Sequence, residues 1–189
     1  AGDYFGTSVS SSADGSTVAI GGFLNDDSGT DSGHVRVFSW DGNSWNQLGS
    51  DIDGEVEGDA SGWSISLSKD GTIVAIGSDR NDNWKGHVRV FSWDGSSWNK
   101  LGSNIQGKDT DDQFGQSVTL SSDGKTLATG GFKNDDNGDN SGHVRIFSWN
   151  GTSWNQVGGD IYGEAANDLF GFSVSLSTNG DTIAIGGYL

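Results

Sequence analysis

The segment Gly33-His34-Val35-Arg36-Val37-Phe38-Ser39-Trp40 returns as Gly86 to Trp93 and, with Ile146 for the second valine, as Gly142 to Trp149. The steps are 53 and 56 residues, and a three-residue deletion before the second copy accounts for the difference. A second block recurs around Gly6, Gly62, Gly115 and Gly171, and its last copy runs into Ile183-Ala184-Ile185-Gly186-Gly187. Self-similarity at such a period means stacked supersecondary units that share one continuous core.

Each unit reads as four strands. In the third copy these are Phe114 to Leu120, Thr126 to Gly130, Gly142 to Trp149 and Trp154 to Val157. Tight turns separate them at Ser122-Asp123-Gly124-Lys125 and Asn150-Gly151-Thr152-Ser153, since Asp-Gly and Asn-Gly accept positive φ. No window of useful length has helical periodicity. The class is all-β, and four short antiparallel strands per unit is the pattern of a β-propeller blade. A blade lies between two neighbours, which explains why Val35 and Val37 on one face and His34, Arg36, Phe38 and Trp40 on the other all need cover. A β-solenoid has shorter coils and lacks this hairpin punctuation. The expected organisation is one repeat domain over 1–189, with about three and a half repeats at 3–58, 59–111 and 112–167 and a partial one at 168–189. Three and a half repeats do not close a ring of seven, so we expect a part of a longer propeller, or packing against neighbours in an assembly. The absence of Met and the start at Ala1 suggest a processed or excised segment.

The formal net charge is −16, which repels nucleic acid and anionic lipid and favours basic partners and cations. Disorder is the competing reading of such acidity, but eight Trp and nine Phe in register argue against it. With no Cys there is no disulfide and no thiolate chemistry. No run approaches the length needed to span a bilayer, so neither a signal peptide within these residues nor membrane insertion is expected.

Phe5-Gly6-Thr7-Ser8-Val9, Phe114-Gly115-Gln116-Ser117-Val118 and Phe170-Gly171-Phe172-Ser173-Val174 resemble the opening of FG-GAP repeats. Ala19-Ile20-Gly21-Gly22 and Ala184-Ile185-Gly186-Gly187 stand where that family has its Gly-Ala-Pro segment. The resemblance implies a propeller like the head of integrin α-subunits, secreted or at the cell surface, concerned with adhesion or ligand binding. The second copy departs from it with Ser61-Gly62-Trp63, and the chain has no Pro. The family's calcium loop between the first two strands is here only Ala13-Asp14-Gly15-Ser16 and its equivalents, too short to wrap a cation, so that site is not carried over.

Oxygen-rich loops between the second and third strands are the candidate metal ligands. Asp135, Asn137, Asp139 and Ser141 alternate around Gly138, and Asp26, Asp27 and Asp31 form a poorer version. Calcium wants six to eight hard oxygens, so Ca²⁺ is the one cofactor left open. Ordinary turn chemistry explains the same residues. His34, His87 and His143 occupy equivalent positions with an Arg two residues on, and a structural role between blades is expected of them. Trp40/Trp45, Trp93/Trp98 and Trp149/Trp154 flank hairpins and are expected to clamp them, with sugar stacking as the alternative. Trp84 has no counterpart in the other loops and, with Asp82 and Asn83, is the candidate ligand contact. Asn150-Gly151-Thr152 is a glycosylation sequon. Acid pairs such as Asp111/Asp112 and Asp26/Asp27 lie in polar loops with no sign of the burial that would raise a pKa, and no nucleophile, phosphate or zinc motif is present. The reading is therefore a non-catalytic extracellular propeller module, no enzyme, for adhesion, protein–protein interaction or assembly of a surface structure. Its rival is a lectin-like, glycan-binding propeller assisted by calcium.

Overall fold

A computed structural model describes residues 2–188. Three sheets follow one another along the chain, and each is one repeat. Blade 1 holds β1 (Ser8–Ser11), β2 (Thr17–Gly22), β3 (His34–Trp40), β4 (Trp45–Gln47) and β5 (Ile52–Asp53). Blade 2 holds β6 (Ser64–Leu67), β7 (Ile73–Ser78), β8 (His87–Trp93), β9 (Trp98–Lys100) and β10 (Ile105–Gln106). Blade 3 holds β11 (Phe114–Leu120), β12 (Thr126–Gly131), β13 (His143–Trp149), β14 (Trp154–Gln156) and β15 (Ile161–Tyr162). A two-stranded sheet of β16 (Ser173–Leu176) and β17 (Ile183–Gly186) ends the series. All pairings within the blades are antiparallel.

The four expected strands are joined by a fifth. After the outer hairpin the chain doubles back, so that β3 is covered by β4 at its Phe38–Trp40 end and by β5 at His34 and Val35. The same happens in the other two blades. Only two residues long, this strand carries no periodicity to read.

The inter-strand turns close on an aspartate. Asp14 Oδ1 accepts from Ser12 Oγ and from the Ser16 backbone and hydroxyl, while Gly15 takes φ +72°. Asp70 and Asp123 repeat the arrangement. The outer hairpins are clamped as expected, with Trp pairs at centroid separations of 5.6, 5.4 and 5.5 Å.

The core lies between blades rather than within one. Ala19, Val35, Val37 and Ile52 of blade 1 pack on Leu67, Val74, Ile76 and Phe91 of blade 2. Ala75, Val88, Val90 and Ile105 of blade 2 then pack on Phe114, Leu120, Leu127 and Phe147 of blade 3. At the inner edge the contact becomes polar. Ser8, Ser64 and Ser117 donate their hydroxyls to the carbonyls of Gly62, Gly115 and Gly171 on the following repeat, at 2.5, 2.7 and 2.7 Å. In return Leu67, Leu120 and Leu176 donate backbone N–H to the hydroxyls of Ser10, Ser66 and Thr119. The turns join as well, with the N–H of Ala13, Lys69 and Ser122 each bonded to a carbonyl of the next turn at 2.9 Å.

This approach requires glycine at one position. A Cβ on Gly21, Gly77 or Gly130 would lie far inside contact distance of the Gly62, Gly115 or Gly171 carbonyl. Backbone cannot swing aside as a side chain does. Gly130→Ala is therefore expected to destabilise the protein by about 1–3 kcal/mol or more, measured by urea unfolding. Gly159→Ala, with nothing near the added carbon, should stay within about 0.5 kcal/mol of the parent.

Candidate functional site

The loop ends of the blades differ most in blade 2. Its loop between β7 and β8 is three residues shorter than its counterparts, and the missing length is taken up by a tight turn over Asn81–Trp84. Asp82, Asn83 and Trp84 all have left-handed backbone, at φ 49°, 58° and 62°. For Trp84 this costs roughly 1–2 kcal/mol, and for Asp82 and Asn83 less, since their short polar side chains tolerate the region. The surroundings over-determine it: Trp84 and Asn83 carbonyls accept from the backbones of Gln113 and Asp111, and the Asn81 carbonyl from Gly86. Backbone held against preference in this way clusters at ligand-binding positions.

The turn places the Trp84 indole over Arg80. The guanidinium carbon lies 5.0 Å from the Trp84 ring centre, 5.5 Å from Trp63 and 5.3 Å from Phe23, so three aromatic faces from two blades surround one cation. Trp63 stands where the other repeats have Thr7, Gln116 and Phe172, and Arg80 where they have Leu24 and Lys133. The cage is thus peculiar to this blade. It forms one wall of a cleft of about 530 Å³, whose other lining includes Asp31, Val56, Glu57, Asp82 and Asn83. Trp84 is 41% exposed at its rim. The structure therefore brings together Trp84, Asp82, Asn83 and Asp31. Next to Arg80 in the chain, Asp79 is 2% exposed with Oδ1 unpartnered, and burial pushes its carboxyl up to about 7 although Arg80 and Lys133 pull the other way.

The other candidate ligands are dispersed. Asp135 accepts from the Asn140 backbone, Asn137 donates to the Gly163 carbonyl, Asp139 accepts from the Asn140 side chain, and Ser141 is buried and donates to the Asn134 carbonyl. Asp26 accepts from the Asp31 backbone. The groupings that do converge involve histidine: Asp27 with His34 and Asp51, and Asp136 with His143 and Asp160. In the second of these the Lys108 ammonium already sits between the acids, 2.9 Å from Asp136 and 2.6 Å from Asp160. In blade 2 the corresponding outer acid is Asn104, yet His87 is as buried as the other two. All three imidazoles are at most 1% exposed and make no hydrogen bond, and burial holds His143 down at about 4. They fill space: His34 and His143 meet Phe5 and Phe114 edge-on at 5.7 and 5.8 Å. Asn150 sits in an exposed hairpin turn, where its Oδ1 accepts from the backbones of Thr152 and Ser153.

One expectation about acid pairs is corrected. Asp112 is buried, and burial raises its pKa. It accepts from the Asn134 side chain and from the backbones of Lys108 and Asp109, which pins the connector between blades. Asp59 does the same through Asn81, Glu55 and Val56. The pairing partner, 22 residues downstream, gives no local signal.

The Asp79 carboxyl makes stability depend on pH in an unusual direction. Unfolded, it ionises near 3.8; folded, it keeps its proton to about 7. Between these values the folded state binds more protons, so this contribution to stability falls as pH rises from about 4 to about 7. Asp79→Asn should remove the effect. Urea unfolding is expected to show the variant about 2–4 kcal/mol more stable than the parent at pH 8, and little different at pH 3.5.

A family model described as the FG-GAP repeat matches residues 1–38 and 107–147. No curated protein sequence matches the chain. Among solved structures, a candidate 6-phosphogluconolactonase from Bacteroides uniformis aligns over 94% of this chain and 46% of its own, at 16% identity and a TM-score of 0.63. The periplasmic gluconolactonase of Pseudomonas aeruginosa aligns over 95% and 42%, at 17% identity and 0.54. The β-propeller domain of the Trilobed protease from Pyrococcus furiosus aligns over 84% and 42%, at 13% identity and 0.50. The chain thus spans less than half the length of each, and the likeness is one of fold. The lactonase neighbours overturn the expectation that the chain is no enzyme, because blades in this arrangement occur in proteins described as enzymes. Among the described residues no helix is long and apolar enough to cross a membrane. The matched segments, the register of the blades and the propeller neighbours together show FG-GAP-like repeats, at residues 1–38 and 107–147, within a β-propeller fold.

Proposed function

We propose that the chain is an extracellular propeller module that binds a partner in adhesion or in the assembly of a surface structure, and that it does so at the cleft around Trp84. The observation that carries this reading is the Arg80 cage beside a strained turn. The turn sets a Trp in the left-handed position that Asp31 and Asn140 hold in the other blades, and so presents an indole at the rim of an acidic cleft. Trp and Arg are the residue types that dominate interface energetics. The field of a chain at −16 favours a partner with a basic contact surface and disfavours nucleic acid.

A second reading has its own support. An exposed indole flanked by Asp31, Glu57 and Asp82 matches the stacking face and hydroxyl acceptors that a sugar ring requires. Calcium would assist only if the loops around Asp135 and Asp26 rearranged to converge, and titration with millimolar CaCl₂ measures that directly.

Binding of the chain and its Trp84→Ala variant to intact cell surfaces and to a glycan array separates the two readings. Partner recognition predicts cell-surface binding that the variant weakens by about 30-fold or more, the loss of one hot-spot residue, with a blank array. Glycan recognition predicts array signals that the variant abolishes. Binding equal in parent and variant contradicts both.

A further inference from the structure

The front faces of blades 2 and 3 are each closed by the blade before, and three polar groups make that closure specific. The Trp98 and Trp154 indoles donate to the Leu48 and Leu101 carbonyls of the preceding blade, at 3.0 and 3.1 Å. Arg89 and Arg145 donate to the preceding Asp53 and Gln106 carbonyls, both at 2.8 Å. The connector then brings a charge to the rim. Glu55 accepts from Lys100 at 2.8 Å and from Asn104 at 2.6 Å, whereas Lys108 lies between Asp136 and Asp160. The two rims are of opposite sign, and each meets a connector of the other sign.

Blade 1 carries the same groups, and among the described residues no blade stands before it. Val18, Ile20 and Phe38, with Phe5 and Trp45, line an apolar cleft of about 380 Å³. Their equivalents Val74, Ile76 and Phe91, and Leu127, Thr129 and Phe147, are at most 8% exposed. Trp45 is 47% exposed. Arg36 folds back on its own blade, with Nε and an Nη each 2.8 Å from Asp51. Asp27 and Asp51 form the rim, at the positions of Asp136 and Asp160.

We propose that this face receives one further blade of the same repeat, whose connector carries a lysine where Lys108 stands and seats its ammonium between Asp27 and Asp51. Arg36 then leaves Asp51 for an incoming carbonyl, as Arg145 bonds Gln106 while Lys108 holds Asp160. The Trp45 indole finds its carbonyl in the same step. Charge selects this occupant over a second copy presenting its third blade, because the connector there carries Glu164 and would meet two acids. The surface is separate from the Trp84 cleft, so either proposal can fail alone.

The test is an extended chain with a copy of residues 59–111 placed directly before Asp3, which keeps the register of the repeat. It is made with the inserted lysine, with Lys108→Glu in the insert, and with that change plus Asp51→Lys. Oxidative footprinting read by mass spectrometry reports on Trp45, and thermal unfolding reports on docking. With lysine, Trp45 oxidation should fall several-fold, to the level of Trp154, and the unfolding midpoint should exceed that of the glutamate form by roughly 3–5 °C. Asp51→Lys should restore much of the difference. Unchanged Trp45 oxidation, identical lysine and glutamate forms, or a lysine form that fails to fold overturns the proposal. So does light scattering that shows the unextended chain dimerising with Trp45 protected.

Discussion

Blades here meet backbone to backbone at their inner edges, and the rest of the molecule follows from how closely they do so. The glycine shared by Gly21, Gly77 and Gly130 lets the next repeat's carbonyl approach without obstruction, and serine hydroxyls then bridge strands that do not belong to one sheet. Small residues hold the inner edge together. Farther out the sheets diverge, and the gap is filled by larger groups: valines and isoleucine first, then Phe91 and Phe147, then Trp98 and Trp154. A taper in side-chain size from strand to strand is what turns a stack of sheets into a wheel rather than a flat pile. It also explains why both faces of β8 are buried, Phe91 in the core shared with blade 1 and Val88 and Val90 in the core shared with blade 3.

Charge is laid over this frame at the outer rim, where water is near and the pairs contribute modestly one by one. Their value is in register. A connector ending in Glu55 fits a rim with Lys100 and Asn104, and a connector ending in Lys108 fits a rim with Asp136 and Asp160. Exchanging the two would bring like charges together. Deeper in, the buried histidines serve packing in the neutral form. The unfolded chain takes up protons below about 6.5 that folded His143 refuses until about 4, so this contribution to stability is lost as pH falls through that window.

Much of the fold was legible because strand-forming residues repeat in register. The bounds of β11 coincide with the run from Phe114 to Leu120, and the Asp-Gly turns lie where their backbone preference puts them. The fifth strands were not legible, because pairs such as Ile105–Gln106 acquire strand geometry only from the free half of a neighbour's edge. At the site, Trp84 stood out because no other loop has its like. Arg80 and Trp63 did not, although both also break the repeat, since their significance depends on Phe23 reaching them from another blade. The burial of Asp79 has its signal only in the repeat register, where it takes the place of Phe23 and Phe132. Alternation in the loop from Asp135 to Ser141 suggested convergence, yet Asp135 and Asp139 both engage Asn140, Asn137 the Gly163 carbonyl and Ser141 the Asn134 carbonyl, as turn residues commonly do.

The central claim is that the inner-edge ladder is the seam on which blade stacking depends. Residue-resolved hydrogen exchange under native conditions addresses it through the Leu67 and Leu120 amides, which bond from the edge strands β6 and β11 to hydroxyls of the preceding blade. The account predicts that both exchange only through global unfolding, with protection equal to that of amides at the centre of β12. Exchange of these two amides at loop-like rates, while β12 stays protected, would mean that the blades hold together without the ladder and would contradict it.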